Sequence, residues 1–207
     1  MVIRYPNGQP HQPFNTRNSI ISKEHSERNF ANRGMRFEEA INLSNQYYLE
    51  REIAVVYKKP TPIQIVSVDY PKRSAAIIKE AYFKDASTTD YNGVYRGHYL
   101  DFEAKETKNK TSFPLKNFHL HQIKHMRSCI QQQGITFVLL WFSSLNRCFF
   151  YPSSELILDW EKQVRKSIPL TQIIEKGIEL TPGYAPRIPY IEAVDSYLNT
   201  KENNYAK

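Results

Sequence analysis

The chain has 207 residues, 41% of them hydrophobic and 13% aromatic, which is the composition of a globular domain and excludes a wholly disordered chain. Its formal net charge of +7 makes it a candidate binder of polyanions. The longest apolar stretch, residues 137–142, is strand-sized, well short of the roughly 18 residues of a membrane span. Residues 1–13 lack the apolar core of a secretory signal, and two cysteines, Cys129 and Cys148, make neither a disulfide framework nor a zinc site. A cytoplasmic protein without membrane partners is expected.

Residues 1–31 are rich in Asn, Ser, Gln, His and Pro without a period, so a flexible N-terminal arm is predicted there. Phe37, Ala40, Ile41, Ser44 and Tyr48 then fall on one helical face, predicting a helix that ends near Leu49. A short strand follows at 53–57, broken by Lys58-Lys59-Pro60-Thr61-Pro62. Residues 63–70 alternate with apolar side chains on both faces, 71–74 read as a turn or kink, and 75–84 return with Ile77, Ile78, Tyr82 and Phe83. Residues 51–84 hold seven Lys or Arg and three acids, a basic excursion between two parts of a sheet. A hairpin is predicted over 88–106, a helix over 117–133 ended by Gly134, a doubly buried strand over 135–142 and another over 147–151. Ser154 is read as the cap of a helix containing Leu156, Ile157, Trp160 and Val164, and the last element spans 188–198, with a disordered tail at 201–207. This order gives a mixed α/β domain around one sheet over 32–200.

The chemistry is concentrated in the hairpin. Strand alternation puts Asp101, Glu103 and Lys105 on one face and Leu100, Phe102 and Ala104 on the other, which should pack on the core. If Arg96-Gly97 is the two-residue turn, Asp90 falls opposite Glu103, with Cβ atoms about 5 Å apart. Asn92-Gly93 is the stronger turn dipeptide by residue preference, and turning there breaks that pairing. Two carboxylates so close repel unless a hard divalent cation, magnesium or manganese, lies between them. Phosphodiester hydrolysis needs an activated water, a clamp on the phosphate and stabilisation of developing charge, which carboxylate-held metal and a neighbouring lysine provide. Asp90, twelve intervening residues, then Glu103-Ala104-Lys105 follows the PD-(D/E)xK nuclease pattern, with Thr89 where that motif often has proline.

Longer segments carry a more specific likeness. Ile3-Arg4-Tyr5-Pro6-Asn7-Gly8, Lys58-Lys59-Pro60-Thr61-Pro62, Tyr70-Pro71-Lys72-Arg73-Ser74-Ala75-Ala76, Ser87-Thr88-Thr89-Asp90-Tyr91-Asn92-Gly93, Asp101-Phe102-Glu103-Ala104-Lys105-Glu106-Thr107-Lys108 and Gly183-Tyr184-Ala185-Pro186-Arg187 resemble the RecU family over nearly the whole chain. The resemblance implies a homodimeric, Mg2+-dependent resolvase of four-way DNA junctions, with Mn2+ as a possible substitute. It implies a restriction-endonuclease-like mixed central sheet flanked by helices, with a projecting basic stalk at about 58–84. It also implies action in recombination and DNA repair at the nucleoid, with the RecA recombinase and a branch-migration helicase as partners. Carried over by position, Thr88, Asp90, Glu103 and Gln122 match the family's metal site, and Lys105 its transition-state lysine; Asp90, Glu103 and Lys105 are the catalytic candidates.

Other residues have simpler readings. Lys72, Arg73, Lys58, Lys59 and Arg33 are candidate phosphate contacts, or plain solubilising charges. Asp101 is assigned no ligand role and reads as a supporting or solvated carboxylate. His121 and His125 are spaced for zinc on a helix, but no suitable third ligand follows and Cys129 reads as core. Glu38 or Glu39 reads as an exposed helix face. Two rival functions are a nuclease for linear or flapped DNA and a non-catalytic junction-binding or recombinase-modulating protein.

Overall fold

The computed structural model describes residues 37–69, 71, 76–83, 88–162 and 164–205. In chain order the elements are α1 (Phe37–Glu50), β1 (Val55–Lys58), β2 (Ile63–Asp69), β3 (Ile77–Phe83), β4 (Tyr91–Tyr95), β5 (His98–Thr107) and β6 (Ser112–Pro114). After a 3-10 turn come α2 (Leu120–Gln131), β7 (Ile135–Phe142), β8 (Arg147–Pro152), α3 (Ser153–Lys162), β9 (Ser167–Pro169), α4 (Leu170–Lys176), β10 (Ile178–Leu180) and α5 (Tyr190–Tyr205). Six strands form one mixed sheet in the order β1-β4-β5-β7-β8-β10. All its pairings are antiparallel except β5 with β7, whose crossover contains α2.

Alternation along the strands divides the core into two layers. Leu100, Phe102, Phe137, Leu139 and Phe150 face Ile41 and Tyr48 of α1 and Tyr190, Ile191 and Val194 of α5. Val138, Leu140, Phe149 and Tyr151 face Ile123 and Met126 of α2, Leu156 of α3 and Ile173 of α4. The first layer is pinned by a row of stacked rings running across four strands. Tyr91 to Phe102 is 4.8 Å between centroids, Phe102 to Phe137 4.6 Å and Phe137 to Phe150 4.4 Å. Each such pair contributes about 0.5–1.5 kcal/mol beyond its buried area, and a one-residue slip of any strand would lose it.

The turn falls at Arg96-Gly97, both with positive φ (46° and 80°), the backbone of a tight primed hairpin turn. Asn92-Gly93 lies inside β4 instead. Gly93 pairs with Val56, and a Cβ there would lie 2.2 Å from the Val55 carbonyl oxygen. The glycine serves the close approach of β1, not a turn.

Some predicted boundaries move. The 117–119 segment precedes α2 rather than opening it, and the left-handed residue beyond α2 is Gln133 (φ 65°), not Gly134. Gly134 is buried, and its N–H donates to the Cys129 carbonyl at 2.8 Å. Ser154 lies within α3, which starts at Ser153. The final helix reaches Tyr205, into the segment read as a tail. The predicted N-terminal arm and residues 72–74 of the turn predicted at 71–74 lie outside the described residues.

β2 and β3 pair with each other as a separate two-stranded ribbon between β1 and β4. Apolar side chains are exposed along it, among them Ile65, Val66, Ile77, Tyr82 and Phe83. No described helix is long and apolar enough to cross a membrane.

Candidate metal centre on the β4–β5 hairpin

Tyr91 pairs with Phe102, so Asp90 stands one step beyond the ladder, opposite Glu103. The Asp90 N–H donates to Glu103 Oε2 at 3.2 Å. Glu103 is fully buried, and its Oε1 lies 2.8 Å from Lys105 Nζ. That ion pair is the contact that meets Oε1. Burial pushes the Glu103 carboxyl up to about 8; Lys105 opposes the rise, and the Asp90 charge adds to it. A buried carboxylate, a second carboxylate opposite it and a lysine on the same face fit a hard divalent cation. The donor oxygens of Asp90 and Glu103 are those that would hold it.

β5 pairs Glu103 with Val138 and Lys105 with Leu140. The acidic face therefore belongs to the layer covered by α2, and the sheet is covered on both sides here. Gln122 lies on α2 and is buried, but its Oε1 accepts the His119 N–H at 3.0 Å, capping its own helix. An amide oxygen has a second lone pair available. Thr88 is half-buried, and its hydroxyl donates to the Thr89 carbonyl at 3.2 Å.

The structure assigns Asp101 more than the sequence did. It is fully buried and central to a polar network. Its Oδ2 accepts from Lys59 Nζ at 2.7 Å and from the Tyr99 hydroxyl at 2.9 Å, and lies 3.1 Å from His125 Nε2. The Thr89 hydroxyl donates to Oδ1. Its partners are far apart in sequence, so only the alternation that put Asp101 on the Glu103 face hinted at this role.

Asp101, His125 and Cys129 bring an oxygen, a nitrogen and a sulfur within 4.8 Å of one another, a set that by chemistry suits zinc. The Lys59 ammonium already supplies the cation there. Burial and the Asp101 charge also push the Cys129 thiol up, away from the thiolate that a metal needs. His121 is not part of this group; its ring stacks on His119 at 5.5 Å.

Of the candidate phosphate contacts, Lys59 is engaged by Asp101, and Lys58 pairs with Glu38 of α1 at 2.6 Å on the surface. Lys72, Arg73 and Arg33 lie outside the described residues.

Fold and site together define a class: a mixed α/β protein whose central hairpin carries the carboxylate pair and lysine typical of metal-dependent phosphodiester hydrolases. The family model described as Recombination protein U matches residues 32–196, and the chain belongs to the RecU family. It is 61% identical over 203 residues to the Holliday junction resolvase RecU of Lactiplantibacillus plantarum, covering 96% of this chain and 97% of that protein. It is 56% identical over 208 residues to the protein of the same name from Lacticaseibacillus casei, covering 99% of each. A solved structure of Archaeoglobus fulgidus Hjc, a Holliday junction resolvase, superposes with a TM-score of 0.40 at 11% identity, covering 67% of this chain and 94% of that one.

Proposed function

We propose that the protein is a Mg2+-dependent, structure-selective endonuclease that resolves Holliday junctions by paired symmetric cuts during recombination and DNA repair. The observation that carries this reading is the buried Glu103 carboxylate facing Asp90 across the hairpin, with Lys105 at 2.8 Å. Family membership supports it, since relatives over 50% identical along nearly their whole length bear the name Holliday junction resolvase.

Asp90 and Glu103, with Thr88 and the free lone pair of Gln122, are the proposed ligands for Mg2+, with Mn2+ as a substitute. When bound, the ion supplies Lewis acidity at the scissile phosphate and lowers the pKa of a water for attack. Lys105 keeps some solvent access (20% exposed) and is placed to meet a phosphate oxygen and offset its developing charge.

The fold is read as restriction-endonuclease-like, with the β2–β3 ribbon as the projecting stalk. Apolar side chains along a ribbon that, among the described residues, pairs only with itself support a homodimer, which would present two equivalent sites to two equivalent strands of a four-way junction. Lys58, Lys72, Arg73 and Arg33 are proposed as phosphate contacts, and Lys59 as one only if it leaves Asp101. The RecA recombinase, a branch-migration helicase and a cytoplasmic, nucleoid-associated location complete the reading.

The test uses labelled mobile four-way DNA and a linear duplex of matching sequence, each with Mg2+ or with chelator. We expect symmetric cleavage of the junction alone, only with Mg2+, abolished by Asp90→Ala and Glu103→Ala while junction binding persists. Equal cutting of the duplex would favour a nuclease for linear DNA. No cleavage of either DNA would leave a non-catalytic junction-binding protein.

A further inference from the structure

Asp101 joins two things that the site described above leaves separate. Among the described residues the β2–β3 ribbon pairs with no other strand, so its pose depends on the two legs by which the chain leaves and returns. The outgoing leg begins at Lys59, which follows directly on β1, and the return leg ends at Thr89, directly before Asp90. Both legs are fastened to the same carboxylate. Lys59 Nζ donates to Asp101 Oδ2 at 2.7 Å and to Thr89 Oγ1 at 3.1 Å, and the Thr89 hydroxyl donates to Asp101 Oδ1. The Lys59 N–H closes the ring on the Asp90 carbonyl at 2.7 Å. Tyr99 and His125 add contacts to Oδ2 from β5 and from α2.

We propose that Asp101 is a positioning residue, a buried clamp that ties both legs of the ribbon to the strand carrying Glu103, so that ribbon pose and carboxylate pose are set together. The inference rests on the endonuclease reading given above. The sequence distances explain how the clamp acts. Thr89 is the immediate neighbour of Asp90, and Asp101 lies two residues before Glu103 on the same strand face. A buried carboxylate is costly unless every oxygen is met by donors, and here both are. Removing one donor therefore frees a leg of the ribbon and disturbs the two carboxylates that flank it. Displacement of about 1 Å at a reacting group is enough to lower a rate a hundredfold.

The test compares the wild type with Thr89→Val, Thr89→Ser, Lys59→Met, Asp101→Asn and the Lys59→Met/Asp101→Asn double variant. Three readouts are used: single-turnover cleavage at saturating junction with Mg2+, junction affinity in chelator over a salt series, and thermal midpoint. The distance distribution between spin labels on the exposed Ser67 and Glu175, in a Cys129→Ser background, reports ribbon pose without reference to cleavage. We expect at least tenfold slower cleavage for Thr89→Val, Lys59→Met and Asp101→Asn, and rescue in Thr89→Ser. Affinity should stay within about threefold with an unchanged salt slope, and the label distribution should broaden. The double variant should be no slower than its worse parent, as expected for members of one unit. Unchanged cleavage and an unchanged label distribution in Thr89→Val would overturn the proposal. So would a rate loss explained by affinity alone with the salt slope of Lys59→Met reduced by about 0.9, which is the mark of a lost phosphate contact. If Asp101→Asn does not fold, Thr89→Val, which leaves the other donors in place, decides alone. If the wild type cuts no DNA, the endonuclease reading fails, and the label distribution still judges the clamp.

Discussion

Replacing Glu103 by Gln should stabilise the metal-free protein, and by an amount that grows with pH. Burial and the neighbouring Asp90 raise this carboxyl from its ordinary 4.5 to about 8. Between those two values the folded chain holds a proton that the unfolded chain has released. Stability therefore falls as pH rises through that window and is level below and above it. Each pH unit in the window removes about 1.4 kcal/mol, so the loss at pH 7 reaches about 3 kcal/mol as an upper limit. Glutamine does not ionise and its oxygen still accepts the Asp90 N–H, while its amide N–H2 turns the part-exposed Lys105 ammonium outward, so Glu103→Gln escapes the pH-dependent loss. For a domain of this size, about 3 kcal/mol corresponds to roughly 6–12 °C in Tm. The assay is thermal unfolding of both proteins in chelator from pH 5 to pH 8.5. We expect a small gap at pH 5 that widens steadily to pH 8 and then levels off. Adding Mg2+ at pH 8 should raise the wild-type Tm and leave the variant unmoved. A gap independent of pH, or a variant less stable than the wild type at pH 8, would refute the reasoning.

Because proton and cation compete for Glu103, the Mg2+ concentration giving half-maximal junction cleavage should fall close to tenfold per pH unit below about 8 and level off above it; a flat dependence from pH 6 to pH 8 would contradict this. Gly93→Ala drives a methyl carbon to 2.2 Å from the Val55 carbonyl oxygen and should cost about 3 kcal/mol by denaturant unfolding, through loss of the β1–β4 pairing. Gln133→Gly should stabilise the fold by about 1 kcal/mol, since residue 133 holds a φ of 65° on an exposed helix end. Phe137→Ala empties the centre of the stacked ring row and should cost about 3–5 kcal/mol in the same assay.

What was legible in the sequence was what alternation and helical period encode. The register that sets Asp90 opposite Glu103 followed from placing the turn at Arg96-Gly97, and the doubly buried β7 from its unbroken apolar run. The competing turn at Asn92-Gly93 could not be dismissed locally, because Gly93 answers to β1, some 37 residues earlier in the chain. β6, β9 and β10 have three residues each, and α4 seven, too few to show a period; the sequence reading passed over all four. Asp101 was read as supporting or solvated because its donors at positions 59, 89 and 125 meet only in the folded chain. α2 ends at Gln131, two residues short of the predicted 133, and the left-handed position falls one residue earlier than glycine preference predicts: Gln133 takes that conformation and Gly134 packs against the Cys129 carbonyl.

The most direct trial of the carboxylate pair as a cation site is anomalous diffraction from crystals grown with Mn2+ in place of Mg2+. The expected map has a strong manganese peak within ligand distance of both the Asp90 and Glu103 side chains, lost in Glu103→Gln. A peak beside Asp101, His125 and Cys129 instead, or none within reach of Glu103, would contradict the reading on which the proposed chemistry stands.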